Sequence, residues 1–115
     1  MFDFEKLEVY KKSKRFNSEV RLLIKSTDLD RSTSNQLMRA SLSICLNLAE
    51  GSGRFTKPDR RNFFVIARSS VFEVAAIIDI LKDEGLINQT LFGELYSQAE
   101  EISKMIFALI KGLSK

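Results

Sequence analysis

The side chains of this 115-residue chain that could do chemistry are few, and most of them are cations. Arg54, Lys57, Arg60, Arg61 and Arg68 fall close together. Four of these five are arginine, whose planar fork matches phosphate oxygens better than a lysine ammonium does. Phe55 sits inside the cluster, where its ring could stack a base. Lys11, Lys12, Lys14 and Arg15 form a second basic strip. The chemistry these residues suit is the binding of an acidic partner, with nucleic acid foremost. The competing reading is a solvated basic face with intramolecular pairs, such as Arg60 or Arg61 with Glu50.

Other chemistries lack their parts. The chain has no histidine, so the usual general base and the commonest metal ligand are missing. A single cysteine, Cys45, can form neither an internal disulfide nor a thiolate cluster. It reads as a small buried hydrophobe between Ile44 and Leu46. Asn47 and Glu50 are three residues apart and share a helix face. They are expected to tie down the Gly51–Gly53 loop, or to bring Glu50 to an arginine of the third helix. Glu73 interrupts an apolar run and lies near Arg39 in the hairpin register, which suggests a partly buried pair within the bundle or between subunits. Isolated carboxylates of this kind supply no base with a matching partner, so no enzymatic activity, cofactor or metal is expected.

Those side chains need a scaffold, and the hydrophobic spacing gives one. With 44% hydrophobic and 29% charged residues, the chain suits one folded domain. One proline and five glycines leave little turn material, which favours long helices. Leu7, Tyr10, Val20, Leu23 and Ile24 mark a first helix from about Phe4 to Ser26. A second begins near Ser32–Asn35 and stops at Gly51. It is nearly all small or apolar from Ala40 to Ala49, which predicts burial on most sides. Gly51 and Gly53 permit a positive φ and a helix C-cap. Thr56, Pro58 and Asp59 form a helix start, and the third helix runs to Gly85. The fourth starts near Asn88–Thr90. There Leu91, Leu95, Ala99, Ile102, Ile106, Leu109 and Leu113 step by threes and fours.

The fold class is therefore all-α: an up-down-up-down antiparallel four-helix bundle spanning residues 1–115. In the hairpin of helices two and three, Ala40, Ser41 and Ser43 are expected to face Ala67, Ser69 and Ser70. Phe55, Phe72, Phe92 and Phe107 are candidates for a subunit interface. The formal charge of +3 is an average: residues 51–68 carry +4 and residues 69–115 carry −3. No segment reads as a targeting sequence or a membrane span, which makes a cytoplasmic protein the expectation.

The run Gln36-Leu37-Met38-Arg39-Ala40-Ser41-Leu42-Ser43-Ile44, followed by Asn47-Leu48-Ala49-Glu50-Gly51-Ser52-Gly53-Arg54, resembles the bacterial four-helix-bundle family of 23S-rRNA intervening-sequence proteins. The opening Phe4-Glu5-Lys6-Leu7-Glu8-Val9-Tyr10 and the stretch from Phe63 to Glu73 match it too, so the resemblance covers essentially the whole chain. The family often has proline where Cys45 stands and glycine where Ser69 stands. The second departure is expected to widen the contact between helices two and three. The resemblance implies a left-handed bundle assembling as a homopentameric ring. It further implies kinship with the accessory proteins of diversity-generating retroelements, which bind nucleic acid and a reverse transcriptase through a basic surface. The leading expectation is an oligomeric bundle binding RNA. The alternative is a scaffold that docks a partner protein such as a reverse transcriptase.

Overall fold

The computed structural model describes residues 1–113. After a 3-10 turn at Asp3–Lys6 come four helices: α1 (Glu8–Ser26), α2 (Arg31–Ser52), α3 (Lys57–Asp83) and α4 (Gln89–Leu113). Each packs on the next and α1 closes against α4, giving a four-helix bundle of 44 × 22 × 21 Å. The connections are short, so neighbours run antiparallel.

Local chemistry sets the helix ends. Asp30, ahead of the expected start, caps α2 by accepting the Thr33 backbone N–H at 3.0 Å. Hydrogen bonds from Thr33 hold its carboxyl below the usual carboxylate range. Thr56 caps α3 through the Asp59 N–H, and Asn88 caps α4 through the Leu91 N–H at 2.8 Å. The one positive φ among the described residues is at Gly85, just past α3, where only glycine is unstrained.

The core is built from Phe16 and Val20 of α1, Leu37, Ile44 and Leu48 of α2, Val74 and Ile78 of α3, and Leu95, Ile102 and Ile106 of α4. Each such burial stabilises the fold by roughly 1.5–3 kcal/mol. The α4 seam falls as expected at Leu95, Ala99, Ile102 and Ile106, then moves to Ile110 while Leu109 is only partly buried. The even burial expected for α2 is not observed: Leu46 points outward and is 55% exposed.

Between α2 and α3 the floor is polar and fully ordered by donors. The Asn47 side-chain amide donates to the Ser43 hydroxyl and to the Ser43 carbonyl, both at 2.9 Å. Ser70 donates to the Ile66 carbonyl, which leaves Ser43 as the donor in the 2.9 Å contact between the two hydroxyls. Of the serines expected in this seam, Ser41 instead reaches α1, donating to the Asn17 side-chain oxygen at 2.9 Å. Ser69 is exposed and does not widen the contact.

Gly51 is not a left-handed cap. It lies inside α2, buried, with the Phe64 ring against it. A Cβ there would come 2.7 Å from that ring and 3.0 Å from the Phe63 Cβ. Gly51→Ala is therefore expected to lower stability by about 1–3 kcal/mol through overpacking. Gly93, in helix with open space around it, is the control: Gly93→Ala should raise stability by up to ~1 kcal/mol. Thermal melts followed by circular dichroism check both signs.

Cys45 is buried, and burial pushes its thiol up to about 11. The folded protein should react slowly with a thiol-specific disulfide at pH 8, and denaturant should expose the thiol. Because the folded thiol holds its proton to higher pH than the unfolded one, stability should fall as pH rises from about 9 through 11. Equally fast labelling with and without denaturant would contradict this burial.

Candidate nucleic-acid interface

The antiparallel fold converts a charge pattern along the chain into one along the molecule. Cutting each helix at its middle puts residues 1–17, 42–70 and 102–113 in one half of the bundle and residues 18–41 and 71–101 in the other. The first half holds 12 Lys and Arg against five Asp and Glu, and the second holds five against ten. The start of α1, the α2–α3 loop and the end of α4 thus share a basic end. The opposite end is acidic, with Asp28, Asp30, Asp83 and Glu84 in or beside its connections.

Within the basic half, several cations already have structural partners. Arg54 pairs with Glu50 at 3.0 Å and its guanidinium lies 4.5 Å from the centre of the Phe63 ring. Glu50 thus meets the loop arginine rather than Arg60 or Arg61 of α3. Arg60 turns back to donate its Nε–H to the Arg54 carbonyl at 2.6 Å. These contacts tie the short loop to both helices that flank it. They leave Phe55 at its tip 99% exposed. Gly53 is the C-cap of α2, with its φ at −92°. Lys57 opens α3 at the same end.

On α1 the second strip is partly committed as well. Lys11 bonds Glu8 at 3.2 Å, Lys12 reaches across to Glu101 of α4 at 2.8 Å, and the Lys14 ammonium lies 5.3 Å from the Tyr10 ring centre. Exposed ion pairs of this type contribute about 0–1 kcal/mol and open readily for a ligand. Arg15 and Arg61 are exposed and have no ion pair among the described residues.

Arg68 departs from the rest of its cluster. It points between α3 and α4, its guanidinium 4.8 Å from the Phe72 ring centre and 5.3 Å from that of Phe107. Its Nε is buried with no hydrogen-bond partner among the described residues. The groove it enters is lined by Tyr96, Ser103 and Lys104 of α4, residues the sequence reading did not single out. The α3 side of the groove was legible in the helical spacing of Arg61, Val65, Arg68 and Phe72, which places all four along one side of α3. Phe92, by contrast, packs on the core under the Lys82 ammonium at 4.2 Å, so it is not an open interface residue.

Arg39 and Glu73 do line one groove between α2 and α3, together with Gln36, Ser43 and Ser70. The partly buried pair within one bundle is not formed. Both side chains are exposed and no ion pair joins them among the described residues.

Comparison with known proteins agrees with this architecture. A solved crystal structure of a protein of unknown function from the S23 ribosomal protein family, from Bacteroides thetaiotaomicron, superposes with a TM-score of 0.85 at 24% identity, covering 90% of this chain and 98% of the other. At that identity the likeness concerns the fold. No curated protein matches the chain. The family model for the 23S rRNA-intervening sequence protein matches residues 5–108, and the chain belongs to that family.

Proposed function

We propose that the protein is a non-enzymatic, self-assembling bundle that binds structured nucleic acid, RNA in particular, through phosphate contacts at its basic end. The observation that carries this reading is the segregation of charge, 12 cations against five carboxylates in one half of the bundle. The ends of a 44 Å molecule are separated by several Debye lengths at physiological salt, about 8 Å each, so the acidic half does little to cancel the field at the basic end. Within that end, the Arg54–Phe63 stack and the Arg60 contact to the loop backbone hold the α2–α3 turn in one shape. Arg61 and the fully exposed Phe55 face solvent beside it, and Arg15 faces solvent on α1.

A ring of copies, five in the form the family resemblance implies, would repeat this end and raise avidity. Exposed apolar side chains such as Leu22, Leu46 and Ile80 support association of copies. Light scattering should give a mass near five times 13.1 kDa, and a stable monomer would overturn the ring. The acidic half favours a second reading, docking of a basic partner protein there. A partner captured on the protein that remains after nuclease treatment supports it.

Binding of an rRNA-derived hairpin should weaken steeply with salt, log K falling by about 0.7–0.9 per phosphate contact for each unit of log salt. Arg15→Ala and Arg61→Ala should each reduce that slope by about one contact while leaving the fold intact. Anisotropy titrations at two or more salt concentrations measure this. Absence of binding at low salt, or unchanged affinity when Arg54, Arg60 and Arg61 are all replaced by alanine, would contradict the proposal.

A further inference from the structure

We infer that the groove between α3 and α4 takes unpaired nucleobases, stacked against Phe72 and Tyr96, with the adjoining phosphates on Arg68 and Lys104. This rests on the nucleic-acid reading above and deepens it, from backbone contacts at one end to a ligand with a single-stranded segment.

The groove measures about 360 Å³, within the ~300–1,000 Å³ of small-ligand sites. The rings that line it are partly open to solvent, Phe72 56% and Tyr96 41% exposed, and Phe107, which lies against Arg68, is 50% exposed. Rings of this size are costly to leave in water on a protein that gains about 25 cal/mol for each Å² of apolar surface it buries. Arg68 sits between Phe72 and Phe107 with no carboxylate paired to it and no acceptor for its N–H groups among the described residues. A guanidinium fixed by rings but without an anion is a prepared receptor for one. Lys104 adds a second cation on the α4 side. Glu100, also in the groove, forms no ion pair with either cation among the described residues, and its oxygens can accept from the exocyclic amino group of a base.

Continuity with the basic end favours nucleic acid over a protein segment. Along α3, Arg61, Val65, Arg68 and Phe72 recur at helical spacing, so cations alternate with apolar groups from the basic end into the groove. Arg61 and Arg68 are about 10 Å apart along the axis. Positive charge tracking a strand beside aromatic platforms is the arrangement by which single strands are held without strong sequence preference.

The test compares a blunt RNA hairpin with the same hairpin carrying a six-nucleotide single-stranded extension that contains 2-aminopurine, using the full chain. The extension should tighten binding at least about fivefold, the low end for stacking one base, and the 2-aminopurine fluorescence should be quenched. Phe72→Ala with Tyr96→Ala should remove both effects while binding the blunt hairpin as before, with the helical signal and particle mass unchanged. If the blunt hairpin binds but the extension adds nothing, the groove proposal fails and the function stands. If neither RNA binds at low salt, the nucleic-acid reading fails and the groove proposal with it. A change in particle mass in the aromatic variant would make the groove a contact between copies and overturn the inference. So would an acidic amphipathic peptide that occupies the groove while the extension does not.

Discussion

The close approach of α2 to α3 at Gly51 is the constraint on which the basic end depends. The Phe64 ring occupies the space a side chain at Gly51 would need, so the two helices meet here at a separation only glycine permits. One turn and more below, the chain of donors from Asn47 through Ser43 and Ser70 to the Ile66 carbonyl fixes the register of the same hairpin. With separation and register both set, a short turn suffices to join the helices. Arg54 can then reach Glu50 and the Phe63 ring together, and Arg60 can reach back to the loop carbonyl. The arginines are thus held in place by packing that none of them contributes.

The second consequence of the antiparallel fold is axial polarity. Two basic segments far apart in sequence, on α1 and around the α2–α3 loop, come to one end because α1 begins where α2 finishes. Acidic segments from the α1–α2 and α3–α4 connections gather at the other. The modest net charge therefore conceals two halves of opposite sign. A phosphate backbone approaching such a molecule is oriented before it makes contact. Arg68 marks where that end-on arrangement passes into a side groove, because its stem leads inward to the rings of α3 and α4.

Much of the scaffold was legible in the sequence because it rests on local rules. Thr56 and Asn88 act as caps, Pro58 stands in the first turn of α3, and the α4 heptad pattern gives a buried seam. What depends on packing was not legible. Gly51 was expected for its backbone freedom and is present for lack of a side chain. Ser41 was assigned to the wrong neighbour, because a helix of small residues offers similar faces to two partners. Arg39 and Glu73 share a groove but extend into solvent instead of pairing, an outcome set by side-chain freedom at an exposed site. The basic residues themselves were recognisable, but their division into loop anchors, open cations and the buried-stem Arg68 follows from distances that spacing alone does not give.

The central claim is that charge polarity places a blunt RNA hairpin, with no single-stranded extension, on one end of the bundle. Amide chemical-shift mapping during titration with an RNA hairpin tests it most directly. The account predicts shifts concentrated in residues 1–17, 42–70 and 102–113, strongest around Arg54–Arg61 and Lys11–Arg15, with the α3–α4 connection unaffected. Shifts centred on the acidic end, around Asp79–Glu94, would contradict it.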